Sequence, residues 1–200
     1  MTEDGYKPPC KGKLIVIEGI DSSGKTVQSK MLATKTNSVL FSFPQYHNKT
    51  GQLITKMMEG CIDFNSRTWA CIMAANRYEE RALLVSALLH GDVICNRYYI
   101  SNIAYSTASG IDTQWLMALD SGMPKPNLVI ILDIPVKISA ERKTERDMIE
   151  QDLEYLERVR QTYNLLGAQM GWYIVNGEQP EEYVHKDILK IVNDEFGWKI

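Results

Sequence analysis

Residues 19–26 read Gly19-Ile20-Asp21-Ser22-Ser23-Gly24-Lys25-Thr26, the spacing G-x-x-x-x-G-K-[ST]. The octet constrains the fold more than any other stretch, because it works only as a turn between a strand and a helix. Its glycines let backbone N–H groups curl around phosphate oxygens, and its lysine sets a positive charge beside the group being transferred. The flanks supply both elements. Lys13-Leu14-Ile15-Val16-Ile17-Glu18 is a short, β-branched, nearly all-apolar run, suited to a central parallel strand covered on both faces. A helix should begin near Gly24 and run through Met31-Leu32-Ala33 towards Asn37. Gly19, Ser22, Ser23, Gly24, Lys25 and Thr26 are then the candidate phosphate-binding residues, with Thr26 a ligand for Mg²⁺. The bland alternative is an ordinary glycine-rich turn.

The alternation continues along the chain. Strand candidates are Val39-Leu40-Phe41-Ser42-Phe43, cut by Pro44, then 93–96, 128–133 and 172–175. Helices are expected at 50–59, 66–90, 98–108 and 113–120, from Val136, at 149–168 and at 180–195. Alternating strands and helices predict an α/β fold with a parallel sheet sandwiched between helices, and ligands of such sheets bind beyond the carboxyl ends of the strands. Two hundred residues fit one domain, expected over 13–200 behind a loose extension at 1–12.

Charge and composition narrow the function. Lys+Arg 22 against Asp+Glu 25 gives a net charge of −3, too balanced for a broad nucleic-acid-binding face, so an anionic ligand should be small. No C-x-x-C occurs among Cys10, Cys61, Cys71 and Cys95, which argues against zinc and for reduced, mostly buried thiols. No run approaches eighteen apolar residues and residues 1–12 lack a secretory core, so no membrane contact and a cytoplasmic location are expected. A GTPase would carry N-K-x-D, yet Asn48-Lys49-Thr50-Gly51 lacks the aspartate. A motor or AAA-type ATPase would usually add more chain, which leaves a compact small-molecule kinase.

A second constellation follows the strand 93–96. Arg97 should emerge at the same carboxyl edge as the phosphate loop and could clamp the phosphoryl group. Tyr98, Ser101, Asn102 and Tyr105 recur at i, i+3, i+4 and i+7, a polar stripe that suits a wall for a sugar and a base, or else a solvated face. Trp69, Met73, Asn76 and Arg77 share a face of the next helix upstream; the core reading is favoured for Trp69 and Met73. Arg77 on an inward face needs acceptors, either a base carbonyl or a salt bridge to Glu79 or Glu80. Glu141-Arg142-Lys143-Thr144-Glu145-Arg146-Asp147 carries three basic and three acidic residues, a solvated helix end or a mobile cover, about 141–150, bringing arginines over the phosphates.

Together these residues resemble the thymidylate kinase family of P-loop nucleoside-monophosphate kinases. The resemblance runs through Ile17-Glu18-Gly19-Ile20-Asp21 and Gly24-Lys25-Thr26, Phe43-Pro44 with Tyr46, Ala75-Asn76-Arg77, Asn96-Arg97-Tyr98 with Ser101-Asn102 and Tyr105, and Gly122-Met123-Pro124-Lys125-Pro126-Asn127. It implies a P-loop NTPase-type three-layer sandwich with a five-stranded parallel sheet, a homodimer, Mg²⁺-ATP as donor and dTMP as acceptor. It also implies Asp21 at the deoxyribose 3′-hydroxyl and near the acceptor phosphate, with Thr26 and Asp21 the metal ligands once Asn96 replaces a carboxylate, Arg77 and Asn102 at the thymine edge, and Phe43 near the base. Tyr46, Ser101 and Arg97 join the acceptor site, and Tyr105 crowds the 2′ carbon. Lys25, Arg97, Arg142 and Arg146 neutralise the transferring group. Two departures stand out: Asn96 where many members have Asp, and Gln45-Tyr46 where many have an arginine, with Lys49 a conceivable substitute cation.

A phosphate-monoester acceptor has a second pKa of about 6, so no general base is needed near neutral pH. His47, His90 and His185 are accordingly read as surface or structural. Two rivals remain: a thymidine or deoxynucleoside kinase, with Glu18 as base for a 5′-hydroxyl, and a catalytically weak nucleotide-binding protein, motivated by Asn96.

Overall fold

The computed structural model describes residues 11–142 and 152–200. The elements run β1 (Leu14–Glu18), α1 (Lys25–Thr36), β2 (Val39–Ser42), α2 (Lys49–Met58), α3 (Ser66–Glu79), α4 (Arg81–His90), β3 (Val93–Asn96), α5 (Tyr99–Ala108) and α6 (Thr113–Leu119). They continue with β4 (Leu128–Asp133), α7 (Val136–Arg142), α8 (Leu153–Met170), β5 (Tyr173–Asn176) and α9 (Glu181–Phe196). The strands form one five-stranded sheet in the order β2-β3-β1-β4-β5, parallel throughout.

β1 sits at the centre, with Leu14 opposite Val93 on one side and Ile15 opposite Leu128 on the other, and all five of its residues are buried. Its side chains alternate between two cores, as the two-residue period of a strand requires. Leu14 and Val16 join a cluster with Val93, Cys95, Leu84, Ile100, Leu156 and Tyr163, under α4, α5 and α8. Ile15 and Ile17 join Leu32, Ile130, Val184 and Ile188, under α1 and α9. Each such side chain contributes about 1.5–3 kcal/mol on burial, so the apolar run of β1 fixes the middle of the three layers.

Several local expectations are corrected. The helix expected over 66–90 is two helices, parted at Glu80, whose N–H bonds to Arg77 O three residues back (3.2 Å). The Glu80 side chain is buried there and accepts from Asn48 Nδ2 (3.0 Å), a tertiary tie that local helix propensity does not reveal. Trp69 and Met73 are half-buried rather than core. Of the described cysteines only Cys95 is buried, while Cys61 and Cys71 are exposed. Among the described residues no helix is long and apolar enough to cross a membrane.

Candidate active site

The phosphate loop bridges β1 and α1 through backbone angles that demand its glycines. Gly19 has φ +140°, and a Cβ there would lie 2.4 Å from Leu132 O and 2.8 Å from Ser23 Oγ. Gly24 opens α1 at φ +98°, so no side chain caps the first turn and its N–H groups face the loop. Lys25 is buried and arches back, its Nζ donating to Ile20 O (2.5 Å) with Ser23 Oγ at 3.4 Å. Thr26 Oγ1 accepts from Asn96 Nδ2 (3.2 Å), and Asn96 Oδ1 is buried with no hydrogen-bond partner among the described residues.

β3 lies directly beside β1, so Arg97 emerges at the same edge as the loop. Its N–H still bonds to Ile17 O (3.0 Å), but the residue turns left-handed (φ 64°), a strained conformation for an arginine, which throws its side chain across the sheet edge. The guanidinium pairs with Asp21 of the loop, donates to Ser101 Oγ (3.3 Å) and lies 5.7 Å from the centre of the Tyr105 ring. Tyr105 donates its hydroxyl to Asp21 Oδ2 (3.1 Å), closing a ring of contacts over the strand ends. Burial works against the Arg97 charge, but Asp21, with Tyr105, Tyr163 and Glu18 behind it, together outweigh that effect and hold the guanidinium protonated. Burial likewise pushes the Tyr105 phenol up, with Asp21 adding to the effect, so the ring keeps its proton.

Glu18 explains how Arg97 is held. Its buried carboxylate accepts from the N–H groups of Tyr98 (2.8 Å) and Ser101 (3.1 Å), from Ser101 Oγ (2.6 Å) and from Tyr163 (2.9 Å). It thereby caps α5, whose own N-cap residue, Tyr98, makes no side-chain capping bond, from the neighbouring strand. Burial raises the carboxyl pKa against the lowering effect of Ser101 and Arg97. A carboxylate committed to four donors in the core is no base for a substrate hydroxyl, which removes the argument for a deoxynucleoside kinase.

The acceptor-side candidates are more scattered. Ser101, Asn102 and Tyr105 lie on α5, but Tyr98 leaves the expected stripe. Its ring is buried against Phe43 and Tyr99, because apolar packing favours the ring, and its hydroxyl donates to Pro124 O (3.1 Å). Phe43 is buried between Phe41 and Tyr98, whereas Tyr46 is half-exposed, with its hydroxyl at 3.7 Å from Met58 Sδ. Asn102 is buried and donates to Ala70 O (3.1 Å), tying α5 to α3. Arg77 pairs with neither Glu79 nor Glu80: Nε and Nη2 bind the two oxygens of Asp120 (2.8 and 2.6 Å), because α6 delivers that carboxylate to the inward face of α3.

Arg142 ends α7 over the phosphate loop, donating to Gly177 O (3.2 Å) and approaching Ser22 O (3.4 Å). Arg146 and the rest of the expected cover, 143–150, lie outside the described residues. Lys49 stands exposed at the start of α2, where its charge acts on Glu79. His47 and His90 are exposed, and half-buried His185 meets Gln28 Oε1 (3.0 Å), its pKa lowered by burial. Sequence reasoning missed Asp120, the capping role of Glu18 and Ser139, whose Oγ donates to Asp21 O (2.8 Å). None of these carries a local motif.

Moving a phosphoryl group between two anions requires a backbone cradle, a lysine and a guanidinium converging on one point. Glycine-bounded loop, Lys25 and Arg97 do converge at one sheet edge, which makes this chain a P-loop phosphotransferase. Comparison with known proteins narrows the class. The thymidylate kinase family model matches residues 17–188. A thymidylate kinase of Arabidopsis thaliana is 34% identical over 97% of this chain and 75% of its own length. A probable thymidylate kinase of Pyrococcus horikoshii is 37% identical over 92% of this chain and 98% of its own. The solved structure of Candida albicans thymidylate kinase superposes with a TM-score of 0.83 at 26% identity, over 92% of each chain. The chain belongs to the thymidylate kinase family: it is a nucleoside-monophosphate kinase using a nucleotide phosphate donor, and the role of that family is phosphorylation of dTMP.

Proposed function

We propose that the chain transfers the γ-phosphoryl group of ATP to dTMP, giving dTDP and ADP for dTTP synthesis, with Mg²⁺ as cofactor. The observation that carries this reading is the Arg97 side chain, launched from a left-handed residue onto Asp21 of the phosphate loop. A phosphate oxygen of dTMP, already anionic, forms the new bond to the γ phosphorus while the bridging bond breaks and its electrons leave with ADP. No proton needs to be removed first. Lys25, Arg97, Arg142 and Arg146 neutralise the charge gathering on the transferring group, and Gly19, Ser22, Ser23 and Gly24 hold the donor phosphates.

The metal fits this chain's oxygen chemistry. Thr26 Oγ1 adjoins Asn96, whose buried Oδ1 has no partner among the described residues, and Mg²⁺ favours such hard oxygen donors. Thr26 and Asp21 would hold the ion, which would supply charge neutralisation at the donor phosphates. On the acceptor side, Asp120 occupies Nε and Nη2 of Arg77 and so directs Nη1 to an acceptor such as a thymine carbonyl. Asn102, Phe43 and Tyr46 complete the base site, Ser101 lines it, and Tyr105 excludes a ribose 2′-hydroxyl by bulk.

The same reading takes 13–200 as one kinase domain behind the 1–12 extension, acting as a cytoplasmic homodimer on nucleotides rather than on nucleic-acid polymers or membranes. Sedimentation should give twice the 22.8 kDa chain mass. ADP release from Mg²⁺-ATP, measured with dTMP, dUMP, dGMP, the ribose analogue of dTMP and thymidine, tests the reaction. Release should be fastest with dTMP and absent with thymidine. Silence with every acceptor would instead identify a nucleotide-binding protein.

A further inference from the structure

We propose that Asn76 is a positioning residue that sets the acceptor-side loop 45–50 and thereby the affinity for the monophosphate. The inference rests on the reading that the segment from Phe43 to Tyr46 meets the acceptor nucleotide. Asn76 lies in α3 next to Arg77 and is 0% exposed. Its Oδ1 accepts the N–H of Gln45 (2.8 Å), and its Nδ2 donates to Gln45 O (2.8 Å). One side-chain amide thus pairs with both backbone groups of a single loop residue, as the edge of a neighbouring strand would. The same Nδ2 also lies 2.9 Å from Asn48 Oδ1 and 3.0 Å from Thr50 Oγ1, so both of its hydrogens are committed.

The loop is held to α3 at further points. Asn48 caps α2 by accepting from Gly51 N (2.8 Å) and donates to Glu80 Oε1 (3.0 Å). Glu79 accepts from the Thr50 hydroxyl and from its N–H (3.2 Å). The approach is close enough to need glycine: a Cβ on Gly51 would lie 1.9 Å from Gln45 O and 2.6 Å from Tyr46 Cα. Asn76, Glu79 and Glu80 fall at i, i+3 and i+4, so one face of the C-terminal part of α3 grips the loop while its neighbour Arg77 is fixed to Asp120. Asn76 is the member whose removal unties the residue next to Tyr46 itself. Without it, the loop loses both backbone bonds at Gln45 and samples other positions, so part of the acceptor's binding energy goes into ordering it.

Steady-state kinetics of Asn76→Ala and Asn76→Asp against both substrates test this. Asn76→Ala should raise KM for dTMP at least tenfold while leaving kcat and KM for ATP within about threefold. Asn76→Asp, though isosteric, should do the same, because a carboxylate cannot donate to Gln45 O. Amide exchange over 43–50 should accelerate in both variants, a readout independent of turnover. Asn48→Ala, changed on the half-buried loop side, should shift KM for dTMP in the same direction by about threefold even if the Asn76 variants fold poorly. Equal rises in both KM values, or an unchanged KM for dTMP in Asn76→Ala or in Asn48→Ala, would overturn the proposal. A wild-type chain inactive with dTMP would instead sink the functional reading beneath it.

Discussion

Arg77 and Arg97 each close an ion pair with an aspartate distant in sequence, yet the two pairs are built differently. Arg77 and Asp120 are 4% and 2% exposed and meet through two nitrogens and both carboxylate oxygens. Arg97 and Asp21 are 17% and 28% exposed, meet through one nitrogen, and stand on a left-handed residue at one end and a phosphate loop at the other. The first pair cannot be given up without stranding a charge in the core. On the proposed function the second is exchanged for phosphate oxygens, and solvent already reaches both partners. Geometry and burial, more than residue type, separate an arginine locked to its partner from one that solvent still reaches.

The contrast breaks most sharply under substitution. Arg97→Ala should lower kcat by 10³-fold or more, roughly 4 kcal/mol of barrier, with little change in thermal midpoint; retention of over a tenth of wild-type kcat would remove it from the chemistry. Arg77→Met should do the reverse in stability. Removing one partner of a buried pair costs about 3–5 kcal/mol, read as a fall in the denaturant midpoint, and a midpoint within about 1 kcal/mol of wild type would show that the pair is dispensable.

Smaller effects refine the picture. Asn96→Asp places a carboxylate beside Thr26 and should lower the Mg²⁺ concentration for half-maximal activity several-fold; an unchanged dependence would mean that residue 96 does not sense the ion. The smallest effect concerns a third pair at the same sheet edge. Arg160 binds both oxygens of Asp133 (2.7 and 2.8 Å) and holds its carboxyl below the usual range, partly opposed by burial. A lowered carboxylate pKa contributes stability above its unfolded value and loses it as pH falls through about 4 and below. The stability gap between wild type and Arg160→Met should therefore narrow from pH 6 to pH 3.5, and a constant gap would contradict the linkage.

The parts legible in the sequence were those with local signals. The apolar runs of β1 and β4 announce buried parallel strands, and the phosphate-loop spacing places its own turn. Arg97 could be located because it directly follows a strand. What stayed hidden depends on long-range contacts. Asp120 reaches Arg77 across 43 positions, and the Asn48 bond to Glu80, at the break between α3 and α4, spans 32. Glu18 offered itself as a base because a carboxylate at a strand end is an ordinary place for one. Only the helix start arriving from β3 shows that its oxygens are spent on capping. The exposed sulfurs of Cys61 and Cys71 follow from a surface loop and the outer face of α3, positions that cysteine's usual burial does not foretell.

The central claim is that Lys25 and Arg97 act on one and the same phosphoryl group. A double-mutant cycle in single-turnover transfer from Mg²⁺-ATP to dTMP tests it, with Lys25→Ala, Arg97→Ala and the two combined. Groups that act as a unit give losses that do not add, so the double variant should be little slower than the worse single variant. Losses that multiply in full would place the two cations in independent roles and contradict the account.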